Sequence, residues 1–155
     1  MSTISSSDFT TGGDEPLGPP LIGALLRMPL DVLRTRMLQR LHERGFDDLD
    51  PPHLVVLQYP GPQGLRPSEL AERLRMTKQA LNYQLGELER LGYVERRPDP
   101  ADGRSRRIAL TSRGEAMGHA IRDAVAEMEQ EWSAKLGAAR FGHLRDLLVE
   151  LNEPA

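Results

Sequence analysis

The sequence contains no cysteine, which excludes disulfides, thiolate zinc sites and cysteine-based peroxide sensing, so any redox response would have to use methionine or a ligand. It has no overall excess of positive charge either, with 20 Lys and Arg against 23 Asp and Glu and a formal net charge of −3. No apolar run reaches transmembrane length without charges, and the first residues lack the basic and apolar regions of a secretory signal. A cytoplasmic protein with no membrane partner is therefore expected. The 4 histidines, His42, His53, His119 and His143, are scattered singly without ligand spacing, so neither a metal site nor a cofactor is expected. A nucleophile elbow, a phosphate-binding glycine loop and a close carboxylate constellation are also missing, which leaves an enzymatic reading without support. Internal repeats are absent, and low complexity is confined to the N-terminal tail.

What is present is a 155-residue chain with 39% hydrophobic residues, long enough for one domain with a real core and too short for two independent ones. It is organised around the stretch from Arg66 to Thr111. Pro67 and Ser68 open a short helix whose apolar positions Leu70, Ala71 and Leu74 fall three or four apart. Arg75 and Met76 read as a turn. Thr77 is placed to cap a second helix, in which Leu81, Leu85 and Leu88 form the buried stripe and Gly92 supplies the stop. Tyr93 to Arg97 then reads as a strand, Pro98 to Gly103 as a break, and Arg107 to Leu110 as the returning strand of a hairpin.

That order predicts a winged helix-turn-helix, a mainly α fold with a small β-hairpin wing. Such a motif lays the N-terminal part of its second helix in the DNA major groove, where amides pair with adenine edges and Lys with guanine or phosphate. Thr77, Lys78, Gln79, Asn82 and Tyr83 occupy that part of the helix, on the face away from the leucines. Tyr83 has the alternative of packing on the head. Arg104 and Arg106 crowd the hairpin together with Arg107, and Asp99 and Asp102 are placed to hold an arginine by a charge-assisted hydrogen bond. Arg66, Arg73 and Arg75 either add phosphate contacts or pair with Glu69 and Glu72.

The charge distribution agrees with this division. From Arg66 to Arg113 there are 11 Arg and Lys against 7 Asp and Glu, although the whole chain is net negative. A basic reading head on an acidic body confines phosphate attraction to the docking face.

The Pro67 to Ala71 helix, the Thr77 to Leu91 helix, the Asp102-Gly103-Arg104 wing and the following Leu110-Thr111 together resemble the MarR-type (multiple-antibiotic-resistance regulator) transcription factors. The resemblance extends more loosely over residues 21 to 151. It implies a homodimeric, sequence-specific binder of double-stranded DNA, more often a repressor, with Ser68, Thr77, Lys78, Gln79, Asn82, Tyr83, Arg104 and Arg106 as DNA-contacting residues and Arg104 in the minor groove. It also implies a small apolar or aromatic effector bound near Met37, Leu41, His53, Leu57 and the stretch Ile121 to Met128, although residue by residue these read as ordinary core.

Around the head, residues 1 to 19 read as a disordered tail and residues 20 to 152 as a single domain. Its head covers about 51 to 111, and its dimerisation helices cover about 20 to 45 and 112 to 151. The first of these carries Ile22, Leu26, Leu30, Leu33, Met37 and Leu41 at helical spacing, with Pro29 predicting a kink near Leu25 to Pro29 in preference to a break into two segments. Asp50 is placed to cap a short helix running from Pro51 through Tyr59. Thr111 is placed to cap a long one carrying Met117, Ile121, Val125, Met128 and Trp132, which Gly114, Gly118 and the Gly137 region weaken or end. The last helix carries Phe141, Leu144, Leu147, Leu148 and Leu151. Apolar faces this extensive exceed what a small head can cover, which points to a two-fold dimer. The competing reading is a winged-helix protein-interaction module that meets an acidic partner through the same surface without specific DNA binding.

Overall fold

The computed structural model describes residues 18–57 and 61–153. Most of the expected tail, residues 1 to 17, lies outside the described residues, as does the end of the predicted short helix at residues 58 to 60. The elements run α1 (Ile22–Glu43), α2 (Pro51–Leu57), α3 (Pro67–Leu74), α4 (Lys78–Arg90), β1 (Val94–Asp99), β2 (Asp102–Leu110), α5 (Ser112–Leu136) and α6 (Ala138–Asn152). This is a helical protein with one antiparallel hairpin, the winged helix-turn-helix architecture. No helix among the described residues is long and apolar enough to cross a membrane.

The core lies where α1, α2, α4, the hairpin and the first half of α5 converge. Leu41, Leu49, Val56, Leu81, Leu85 and Leu88 are fully enclosed there. The leucine stripe of α4 is thus the floor of the head, as its spacing required. α5 passes through Gly114 and Gly118 without interruption and stops at Gly137, whose φ of 87° is a conformation open to glycine at little cost. Pro29 lies inside an unbroken α1.

Two local expectations are corrected. Asp50 makes no side-chain cap of α2; its backbone N–H instead donates to Nδ1 of the buried His53 at 2.9 Å, so the histidine closes the turn. The hairpin is longer and tighter than the prolines suggested, because the strands continue to Asp99 and from Asp102. Pro98 is tolerated because β1 is an edge strand with a register irregularity between Pro98 and Asp99. The segment before α3 also adds to the wing: Gly64 N–H donates to the Ile108 carbonyl and Ile108 N–H to the Leu65 carbonyl, both at 2.8 Å.

The first turn of α5 is pressed against the root of the wing. Thr111 caps the helix, with Oγ1 accepting from Gly114 N–H at 3.1 Å and the hydroxyl donating to the Gly92 carbonyl at 2.5 Å. Tyr93, fully buried, donates its hydroxyl to Asp48 at 2.5 Å, while the Arg113 guanidinium lies 4.3 Å from its ring centroid and pairs with the same aspartate at 3.0 Å. This junction ties the loop after α1 to the end of α4 and the start of α5.

Candidate nucleic-acid interface

The sequence of α3 and α4 explains the surface they present. Glu69 accepts the Arg66 backbone N–H at 2.8 Å and starts α3; Arg75 takes the left-handed conformation at φ 52° and turns the chain so that Met76 N–H reaches the Ala71 carbonyl at 2.9 Å. Thr77 then starts α4, its Oγ1 accepting from Ala80 N–H at 3.1 Å. With Leu81, Leu85 and Leu88 turned inward, Thr77, Lys78, Gln79, Asn82 and Tyr83 are all exposed. Tyr83, at 68% exposure, does not pack on the head. Thr77, Gln79 and Tyr83 border one open depression of about 400 Å³. Asn82 is joined to Arg96 of β1, and Ser68 is exposed in the first turn of α3. Arg104 and Arg106 are exposed on β2.

Ion pairing divides the basic residues of the head into two sets. Arg66 and Arg107 pair with Asp99, Arg90 with Glu87, Arg96 with Glu89, Arg97 with Glu95, and Arg113 with Asp48. Arg73, Arg75, Lys78, Arg104 and Arg106 have no acidic partner among the described residues, and all five are exposed. They belong to the end of α3, the turn, the start of α4 and the wing. Glu69, which competed for Arg73 in the sequence, is occupied by the Arg66 backbone.

Asp99 sets the root of the wing. Its carboxylate, buried at 2% residue exposure, receives Arg66 at 2.6 Å and Arg107 at 2.9 Å and accepts the Ala101 N–H at 3.0 Å. Asp102, the other candidate, holds the Ser105 hydroxyl at 2.8 Å and the Arg104 N–H at 3.1 Å, not an arginine side chain. Arg107, the Ala101 N–H and Arg66 together hold the Asp99 carboxyl well below the usual carboxylate range. A carboxylate with a depressed folded pKa stabilises the fold above its unfolded pKa of about 4 and loses that contribution as pH falls from there through the folded value. Asp99→Asn is accordingly expected to melt below wild type at pH 7, with the gap unchanged to about pH 5 and closing in stronger acid. Melting curves across that range check it, and a gap that closes near neutrality refutes the role given to Asp99.

A cavity of about 250 Å³ lies between the end of α2, the segment before α3, the end of β2 and α5. Leu57, Gln63, Leu110, Met117, Ile121 and Arg122 are among its walls. Of the residues expected near an effector, Leu57 and Ile121 line this space. Met37, Leu41 and His53 are buried away from it, and Leu57, like Met37 and Leu41, is also part of the hydrophobic core. Arg122 lies 3.0 Å from Nδ1 of His119 and has no acidic partner among the described residues.

Comparison with known proteins decides what kind of head this is. A model of the MarR family matches residues 47–105. The HTH-type transcriptional repressor Rv2887 of Mycobacterium tuberculosis is 31% identical over 131 residues, covering 84% of this chain and 92% of that protein. The chain belongs to the MarR family. The solved structure of Rv2887, a MarR family protein in complex with salicylic acid, aligns with a TM-score of 0.62 at 30% identity, covering 87% of this chain and 98% of that one. The transcriptional repressor CouR, bound to a 23-mer DNA duplex, shares the fold with a TM-score of 0.65 at 24% identity over 86% of this chain and 93% of that one.

Its relatives are transcription regulators, not enzymes, and the helix-turn-helix with its wing is the DNA-binding unit of this MarR-family regulator. Sequence reasoning misses two features of the candidate interface. Arg96, in the sequence one residue of the Tyr93 to Arg97 strand, bridges β1 to α4 in the structure; Asn82 and Glu89 at i and i+7 on one helix face are the available signal. Arg66 and Arg107 count toward the basic head in the sequence, but both are committed to Asp99, whose one negative charge offsets one of their two positive charges.

Proposed function

We propose that this MarR-family regulator is a cytoplasmic repressor that binds a pseudo-palindromic operator as a homodimer and releases it when a small apolar or aromatic acid binds. The observation that carries the DNA reading is the position of Arg73, Arg75, Lys78, Arg104 and Arg106, the five exposed cations of the head with no acidic partner among the described residues. A protein-interaction surface for an acidic partner needs cations anywhere on the head. Here they flank the amide-bearing first turns of α4, where a helix-turn-helix meets phosphates on either side of the major groove. Ser68, Thr77, Lys78, Gln79, Asn82 and Tyr83 are assigned to the groove and its adjacent phosphates, and Arg104 and Arg106 to the neighbouring minor groove.

The homodimer is supported by apolar surface left uncovered on α1 and α6, where Ile22, Leu26, Leu30, Leu144, Leu147 and Leu151 are each at least 40% exposed. The effector reading is supported by the largely apolar cavity under α5 with Arg122 at its wall, a cation suited to a carboxylate, and by the salicylic acid in the related Rv2887. An acid that prefers one arrangement of the two heads lowers DNA affinity by the same factor by which DNA lowers its own.

Selection of bound fragments from a random duplex pool is the test. An inverted repeat with half-site centres about 10 base pairs apart is expected, as two-fold helix-turn-helix dimers require. On the selected site, Asn82→Ala is expected to lose on the order of 1–3 kcal/mol per subunit and much less on scrambled DNA. Arg104→Ala is expected to weaken both more evenly and to reduce the salt slope by about 0.9 for each phosphate charge no longer neutralised. Enrichment of single asymmetric half-sites counts against the dimer, and an unchanged specific-to-random ratio in Asn82→Ala favours the protein-interaction surface.

A further inference from the structure

Asn82 is exposed on α4, and its carboxamide oxygen faces an arginine of the wing. Nη2 of Arg96 lies 3.4 Å from Asn82 Oδ1, and Nε of the same guanidinium lies 3.2 Å from Glu89 Oε1. Asn82 and Glu89 stand two helical turns apart on one face of α4, and Arg96, on β1 opposite Ile108, lies across them. Glu89 thereby draws the arginine across the helix as an ion pair, although Arg96 Nε is buried without a hydrogen bond of its own among the described residues. A guanidinium has donors and no acceptor, so the amide can present only its oxygen to Arg96. Its NH2 group is left with no partner among the described residues.

We propose that Arg96 is a positioning residue that makes Asn82 a hydrogen-bond donor, selecting against cytosine and removing any advantage of adenine over guanine at one operator position. In the major groove guanine presents the acceptors N7 and O6, thymine O4, and adenine N7 beside its N6 amino group, whereas cytosine presents only the N4 amino group. A carboxamide that is free to flip meets either kind of edge. One whose oxygen already faces a guanidinium is a poor acceptor for a base amine, while both protons of its NH2 remain to be used. This inference rests on the reading of α4 as the groove-facing helix and adds to it which edge Asn82 reads and what fixes that choice.

The test is random-pool selection and equilibrium binding with the full-length wild type, Asn82→Ala, Arg96→Met and Arg96→Lys, each with its melting temperature. The operator position sensitive to Asn82 is located first, as the one where Asn82→Ala loses base preference. At that position wild type is expected to favour guanine or thymine over cytosine roughly 5- to 10-fold, in line with the loss of one directed hydrogen bond, with adenine no better than guanine. Arg96→Met keeps the aliphatic stem and frees the amide; it is expected to bind the operator while losing that preference and no other, and Arg96→Lys to retain most of it. Three results overturn the proposal. One is a wild-type preference for cytosine, or for adenine over guanine, at that position. Another is an Arg96→Met protein with an unchanged motif and a uniformly lower affinity, which makes Arg96 a phosphate contact. The third is an Arg96→Met protein that also melts far below wild type and loses preference at every position, which makes Arg96 a strut of the fold. Failure of wild type to enrich any duplex is a different outcome, since it removes the DNA reading itself and this inference with it.

Discussion

Gly114→Ala is expected to be among the most damaging single methyl additions in the protein, lowering stability by about 3 kcal/mol. An alanine normally strengthens a helix relative to glycine, by up to ~1 kcal/mol. At Gly114 a Cβ would stand 2.0 Å from the Tyr93 carbonyl oxygen and 3.2 Å from Leu110 Cδ2. The nearer obstacle is not a flexible chain end: the carbonyl belongs to the root of β1 and accepts the Thr111 N–H at 3.1 Å, so α5 must lift away from the wing to make room. Gly118 is the internal control. It lies one turn further along α5, and a Cβ there would meet only Arg122 Nη1 at 3.9 Å. Gly118→Ala is therefore expected to melt at or above wild type, and Gly114→Ala roughly 10 °C below it at matched protein concentration. Equal melting of the two alanine variants rules out the close approach of α5 to the wing.

That contact illustrates which features a sequence discloses. Helix periodicity places Leu81, Leu85 and Leu88 in the core and, by subtraction, the polar residues of α4 outside, because a repeat of about 3.6 residues leaves little freedom once one face is buried. The same reasoning makes Thr77 and Thr111 caps, and both are. Pairwise choices between distant residues are a different matter. Whether Asp99 takes Arg104, Arg106, Arg107 or Arg66 depends on how far the strands run before turning, and Pro98 misleads there because a strand irregularity absorbs it. Gly114 is similar: glycine in a helical run reads as a weakness, and only the path of the Tyr93 backbone beneath it reveals a requirement for an absent side chain. The candidate reading residues on α4 are accessible from local pattern, whereas the identity of the cations without acidic partners emerges only once each carboxylate has found its own.

Charge pairing also continues along the body. Arg36 bonds Glu131, and Arg40 and Arg44 both reach Glu127, at 3.2 and 3.0 Å, linking α1 to α5. These pairs are partly exposed and individually weak in stability terms. Their use is geometric: with α1 and α5 aligned, the outer apolar residues of α1 are left on the surface, as are those of α6. No residue of α6 is buried within the subunit, and Leu144, Leu147 and Leu151 are 40%, 44% and 76% exposed.

Ending the chain at Gly137 is consequently expected to abolish dimerisation and to lower operator affinity by roughly 10²- to 10⁴-fold, the advantage that two linked heads have over one. The body of the subunit should survive the cut. α6 packs against α5, contributes nothing to the buried core, and follows a glycine at which α5 already ends. Helical content per residue and the melting of the head report that survival, while sedimentation reports the association state. A pair of charges in place of truncation, Leu147→Glu with Leu151→Glu, is expected to give the same monomer without shortening the chain, since each carboxylate would have to be desolvated to rebuild the interface. Tight operator binding by a truncated monomer contradicts the two-headed reading, and a truncated protein that sediments as a stable dimer at micromolar concentration places the interface elsewhere.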